Sequence, residues 1–165
     1  SQINRLRPLR PVRFSGHLNL IEGKPVSSPR QVPSLINQTG HFWPLHQFLL
    51  RLFLGLLDLR EIKLELNQQI NRLHALSVKL SHLDSHRHTH LFPPIWSITL
   101  RLAQRYHIPH LRSRRSIHQA LKSKPDKYLI HWPVFWFLSW RYGKNKSSSK
   151  ELDEIVIHPG AAYYD

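Results

Sequence analysis

A chain of 165 residues has the length of one ordinary domain, and 41% hydrophobic with 21% charged residues is a globular composition, not a disordered one. It contains no cysteine, which excludes disulfide frameworks, thiolate nucleophiles and cysteine-ligated zinc and leaves histidine and oxygen as metal donors. The formal charge of +14, from 24 Lys and Arg against 10 Asp and Glu, attracts anionic surfaces without specificity and is read as a solvated basic face.

The basic opening, Ser1 to Arg13, lacks the apolar stretch and small-residue cleavage site of a secretory signal, so a cytoplasmic protein is expected. From Val12 to Leu20 the residues alternate in the pattern of a strand, which puts the imidazole of His17 and the amide of Asn19 on one face. A loop rich in Gly, Pro and Ser follows from Glu22 to Ser34. A helical stretch runs from Pro44 to Leu57, and Asp58 with Glu61 has the spacing of a capping box that opens a second helix, about Leu59 to Leu76. In that helix Ile62, Leu66, Ile70 and Leu73 form one core-facing stripe, and its polar residues are read as solvated.

Val78 to Asp84 reads as the next strand, with Val78, Leu80, His82 and Asp84 on one face and Lys79, Ser81 and Leu83 on the other. Pro93 and Pro94 suit the first turn of a helix that carries Ile95, Thr99, Leu102 and Tyr106 on one side. Short strands are expected at Ile108 to Leu111 and at Glu154 to His158, with a Ser- and Lys-rich linker from Lys144 to Lys150. The apolar runs Phe48 to Leu57 and Tyr128 to Trp140 fall short of the roughly 20 residues that cross a bilayer, so no transmembrane segment is expected. Trp132, Trp136 and Trp140 would also suit a membrane surface. Alternating strands and helices without an internal repeat argue for an α/β fold with a parallel sheet or barrel, in a single domain.

Chemistry concentrates where the second strand ends. His82, Asp84, His86, His88 and His90 lie within Ser81-His82-Leu83-Asp84-Ser85-His86-Arg87-His88-Thr89-His90, a density that packing does not explain. Each buried imidazole must satisfy its ring nitrogens, and neighbouring ones raise that cost unless a cation or carboxylate holds them. In parallel α/β folds the carboxyl ends of the strands gather at one edge, and His17, the His86 cluster and His158 all fall near such ends. Imidazole nitrogens suit zinc, nickel, iron or copper, so two histidines alone do not fix a metal. A carboxylate would complete a facial set that leaves positions open for water and substrate, a geometry that serves hydrolysis.

These residues resemble a known family. Gly16-His17-Leu18-Asn19-Leu20-Ile21-Glu22-Gly23-Lys24-Pro25-Val26 and Val32-Pro33-Ser34-Leu35 are similar to consecutive segments of the YdjC-like carbohydrate deacetylases. His82-Leu83-Asp84-Ser85-His86-Arg87-His88-Thr89-His90 resembles the signature of the same enzymes, and Glu154-Ile155-Val156-Ile157-His158-Pro159-Gly160 a late motif. Pro94 to Pro109 is also similar, with His107 where these enzymes usually carry Gly. The resemblance implies a partial or distorted (β/α) barrel that removes acetyl groups from N-acetylated sugars with a divalent metal: magnesium first, zinc or manganese as alternatives. Carried over by motif, His17 and His86 are the expected metal ligands and His158 lines the active site. Asp84 is the nearby carboxylate expected to serve catalysis by orienting His86, and Asn19, His82 and His88 are expected around substrate or behind the ligands.

The chain also departs from that pattern. The family opens with a strand ending in Asn-Ala-Asp-Asp-Phe-Gly, whose aspartates supply a carboxylate ligand and the base; Ser1 to Phe14 holds no acid. The chain therefore reads as truncated at its N-terminus and shortened in the middle and at its C-terminus, against roughly 250 residues for a complete barrel. Three functions are weighed: a sugar deacetylase, a metal- or carbohydrate-binding relative without turnover, and a basic nucleic-acid binder. The last gains nothing from the histidine spacing and is disfavoured. The sequence admits a homodimer.

Overall fold

Strand β1, Phe14–Leu18, and strand β2, Leu80–Ser85, pair in parallel at the centre of a four-stranded sheet. Strand β3, His110–Leu111, flanks β2 and strand β4, Ile155–Ile157, flanks β1, both in parallel, giving the order β3-β2-β1-β4. The structure, a computed structural model, describes residues 13–112 and 155–157. The runs Tyr128 to Trp140 and Lys144 to Lys150, and His158, lie outside the described residues. Parallel strands need long crossovers. Helices α1, Leu45–Phe53, and α2, Leu59–Ala75, lie in the crossover between β1 and β2, and α3, Pro93–Arg105, in that between β2 and β3. The expected alternation is thus found as a mixed α/β fold with a small parallel sheet. No helix among the described residues is long and apolar enough to cross a membrane.

The register of β1 against β2 slips at one point: Phe14 faces Leu80, but Ser15 faces His82, which leaves Ser81 as an extra residue. The Ser81 hydroxyl donates to the Phe14 carbonyl at 3.0 Å, so the Nδ1–H of His82 is the donor in its 2.8 Å contact with Ser81 Oγ. This bulge changes the faces expected for β2. Leu80 and Leu83 lie on the same side, both against Gly16 and together with Leu73 of α2, where a Cβ on Gly16 would stand 2.7 Å from Leu83 Cδ2. His82 and Asp84 are left to the opposite face with Ser15 and His17, their register partners on β1.

Helix α2 buries Ile62, Leu66, Ile70 and Leu73 as its stripe predicts. Its polar residues are not all solvated, however: Glu65 is 0% and Gln69 2% exposed. The two Glu65 oxygens accept the amides of Val26 and Ser27, each at 2.9 Å, and Oε1 also accepts from Gln69 Nε2 at 2.7 Å. Gln69, one turn later on the same face, accepts the Asn19 amide at 2.9 Å and donates to the Asn19 carbonyl at 2.6 Å. These bonds satisfy the buried carboxylate and dock the chain leaving β1 onto the helix. The start of α2 also differs from a capping box. Asp58 accepts the Arg60 amide, but Glu61 turns to the amide and hydroxyl of Ser34, whose oxygen in turn accepts the Asp58 amide.

Helix α3 begins with Pro93 and ends in a reversal at His107, whose φ of 52° is in the left-handed region that favours glycine. Beneath it His90 is 1% exposed, stacked on Trp96 with ring centres 6.2 Å apart. His90 Nε2 donates to the Arg112 carbonyl at 2.8 Å, and Nδ1 accepts from the Ser85 hydroxyl at 2.6 Å, an arrangement that fixes the neutral ring. Burial pushes His90 from 6.5 down to about 4, against the opposing pull of Asp84 and the Arg112 carbonyl.

Three outcomes follow from this packing. Glu65→Ala strands two backbone amides and is expected to cost about 2–4 kcal/mol in urea unfolding, with faster hydrogen exchange at Val26 and Ser27. His107→Gly relieves a left-handed non-glycine residue and should raise the urea midpoint by the equivalent of about 0.5–1 kcal/mol. Because the folded pKa of His90 lies below its unfolded value, the unfolded chain binds the extra proton between pH 6.5 and 4. Its contribution is therefore complete above 6.5 and falls by about 1.4 kcal/mol per pH unit on acidification through that window. A pH series of urea midpoints, with an NMR titration of the ring, checks this.

Candidate active site

The carboxyl ends of β1 and β2 are in register, so His17 stands opposite Asp84 and Leu18 opposite Ser85. Beyond β2 the chain enters a tight 3-10 segment, His86–Leu91, interrupted by two consecutive left-handed residues, Arg87 at φ 50° and His88 at φ 54°. Neither is glycine, so this turn is held against its own preference, as backbone near functional groups often is. The Ser85 hydroxyl, which accepts the His90 amide at 2.9 Å, braces it. The result is that His86 turns toward β1 while His88 folds back over Asp84. The rings of His17 and His86 meet edge to face with centres 5.8 Å apart, although 69 positions separate them in the chain.

Asp84 is the hub of the cluster. It is 2% exposed; Oδ1 accepts the Ser85 amide at 2.7 Å and lies 3.3 Å from His88 Nδ1, while Oδ2 receives Arg112 Nη1 at 2.7 Å. Nδ1 of His17 and Nδ1 of His90 are each 3.9 Å from the carboxylate. Burial raises the Asp84 carboxyl, but the His88 hydrogen bond and the charges of His90, His88 and Arg112 outweigh it and hold the group well below the usual carboxylate range. Only Arg112 keeps its charge at every pH. A carboxylate with so low a proton affinity is a poor general base and a good fixed anion.

Other predicted residues take distinct places. Asn19 lies just past β1, where its Oδ1 accepts the amides of Ile21 and Glu22 and its Nδ2 donates to the Glu22 carbonyl. It shapes the loop at the rim of the site. His82 is buried one residue pair deeper along β2 than Asp84, opposite Ser15. The last residue of β4, Ile157, pairs with Gly16; His158 lies outside the described residues.

Sequence reasoning missed two members. Glu22 places Oε1 3.0 Å from His86 Nε2, and Arg112 clamps Asp84. Both had a signal: an acid five residues after His17 in a turn-rich segment, and a cation immediately beyond a strand that ends at the same sheet edge.

A ligand nitrogen about 2.1 Å from a cation puts its ring centre about 3.2 Å away, so two imidazoles on one cation have centres no more than about 6.4 Å apart. His17 and His86, at 5.8 Å, satisfy that limit as a pair of donors. Among the described residues no group of three or more His, Cys, Asp or Glu side chains is arranged to hold a metal ion as it stands.

Comparison with known proteins adds a second line. A carbohydrate deacetylase from Geobacillus stearothermophilus is 32% identical over 159 residues, covering 90% of this chain and 57% of its own length. A carbohydrate deacetylase from Halalkalibacterium halodurans is 40% identical over 93 residues, 56% of this chain and 38% of the relative. The chain thus spans only part of these relatives. A crystal structure of an Enterococcus faecalis protein described as a cellobiose-phosphate cleavage protein shares the fold, with a TM-score of 0.58 and 23% identity over 86% of this chain and 49% of that one. The pattern of the YdjC-like proteins runs over residues 2–163, from before β1 to beyond β4, and the chain belongs to that family.

Proposed function

We propose that this chain carries the metal-holding and substrate-facing part of a carbohydrate deacetylase, which hydrolyses the acetamide of N-acetylated sugars or oligosaccharides with a divalent cation. The observation that carries the reading is the meeting of His17 and His86, from two different strands' ends, at the edge of a parallel sheet. The relatives' description as carbohydrate deacetylases supports the reaction class. On this reading the four described strands are an arc of a distorted (β/α) barrel, and the site lies at its carboxyl mouth.

His17 and His86 would hold the cation: magnesium by family likeness, with zinc or manganese better matched to two imidazoles. When bound, it would polarise the acetamide carbonyl and make bound water more acidic. Asp84 acts as a positioning residue, a buried anion that fixes His88 and faces the Nδ1 edge of His17, in the way carboxylates orient metal-bound imidazoles. The His88 hydrogen bond, with the neighbouring charges of His90, His88 and Arg112, keeps that carboxylate ionised. His88 and Asn19 contribute to the substrate rim and His82 packs behind it, while His158 is kept as a catalytic candidate on the family motif alone.

A second reading, metal or carbohydrate binding without turnover, is favoured by one observation: Asp84 is committed to Arg112, His88 and the Ser85 amide and has little proton affinity to offer. Acetate release from N-acetylglucosamine oligomers in the presence of magnesium, manganese or zinc separates the two. Release that falls by about 100-fold or more in His17→Ala and in His86→Ala is expected for the deacetylase. Stoichiometric metal binding without release would establish the second reading, and neither binding nor release would overturn both.

A further inference from the structure

We propose that the tip joining α1 to α2, from Leu50 to Leu59, is a docking surface for an anionic lipid bilayer. The apolar run Phe48 to Leu57 is too short to cross a bilayer, and the site at the sheet edge makes no use of it. Among the described residues six large hydrophobic side chains are exposed, and five of them fall in this one stretch: Leu50 57%, Phe53 50%, Leu54 56%, Leu56 53% and Leu59 43%. Leu50, Phe53 and Leu54 stand at helical spacing on one face of α1, while Phe48, Leu49 and Leu52 are buried in the core. The end of this helix is thus apolar on two sides, although only one of them packs.

The backbone of the tip is prepared for a medium without water. The Leu54 amide donates to the Leu50 carbonyl at 2.9 Å, Gly55 to Leu52 at 3.2 Å and Leu56 to Arg51 at 2.8 Å. These bonds close the helix in a reversal centred on Gly55, whose φ of 69° is left-handed. Amides already bonded within the turn lose no partner when the side chains beside them leave water. The exposed leucines and Phe53 therefore sit on a fixed turn whose polar groups need not be stripped of solvent.

Size and charge favour lipid over a second copy of this chain. Five side chains about half exposed offer on the order of 500 Å² of apolar surface, a patch of functional size but short of the roughly 800 Å² that each partner gives to a stable protein interface. Arg60 and Lys63 are exposed on the opening turns of α2 beside Leu59. The neighbouring acids are engaged, Asp58 by the Arg60 amide and Glu61 by the amide and hydroxyl of Ser34. A second copy would bring the same cations, and the same total charge of +14, to the contact; anionic headgroups complement both. Leucine and phenylalanine at the acyl boundary, with basic side chains at headgroup level, is the arrangement of an interfacial anchor.

The test is co-sedimentation of the full chain with vesicles of phosphatidylglycerol and phosphatidylcholine in equal parts, and with phosphatidylcholine alone. Wild type is compared with the double variants Leu54→Ser with Leu56→Ser and Arg60→Glu with Lys63→Glu. All four positions are exposed, and urea midpoints check that folding is unchanged. Wild type is expected to bind the mixed vesicles at least about 10-fold more tightly than the neutral ones, and each double variant to bind them about 10-fold more weakly than wild type. High salt should shrink the effect of the charge reversal. No binding to the mixed vesicles, equal binding to both kinds, or wild-type binding by the serine variant overturns the proposal. A wild-type dimer by light scattering that the serine variant dissolves also overturns it, and gives this surface to a second copy.

Discussion

The clamp formed by Glu65 and Gln69 is the constraint on which the site depends. Both are on one face of α2, and both are sealed from solvent. Between them they take up the amides of Val26 and Ser27 and both polar groups of the Asn19 peptide. Without these bonds the loop after β1 would have to satisfy its backbone with water and could not lie against the helix. With them, Asn19 is fixed, the turn it closes is fixed, and Glu22 is delivered next to His86. A buried charge on the outer helix thus governs the geometry of an imidazole at the sheet edge.

A second electrostatic arrangement complements it from the side of β2. Asp84 collects a guanidinium, an imidazole and a backbone amide, and the turn that follows bends through two unfavourable backbone conformations to return His88 to it. Conformational cost and ionic attraction are coupled here: the strained turn is kept because Asp84 and the Ser85 hydroxyl hold its far end. The same residues leave His86 pointing the other way, toward β1. One turn therefore separates the imidazole that faces its carboxylate from the imidazole that faces the open rim.

Much of this was legible in the sequence, and the failures share a cause. The histidine cluster stood out because its density exceeds what packing tolerates, and the stripe of Ile62, Leu66, Ile70 and Leu73 predicted the buried face of α2. Periodicity, however, assigns every polar residue of an amphipathic helix to solvent. It could not reveal that Glu65 and Gln69 have partners 38 to 50 positions away. Glu61 was misread for the same reason, since the group it binds, Ser34, belongs to a distant loop. His107 was recognised as standing in a glycine position, and its left-handed backbone supplies the physical reason. The faces of β2 were misassigned because strict alternation assumes an unbroken ladder.

That broken ladder has an arithmetic consequence. Leucines 80 and 83 share a face although an odd number of steps divides them, because Ser81 is supernumerary. Parity along β2 is thus shifted once, and only there, so that an aliphatic floor and an ionic ceiling are both served by one short strand. Excising Ser81 would restore ideal pleating while keeping both leucines, His82 and Asp84 on their present sides.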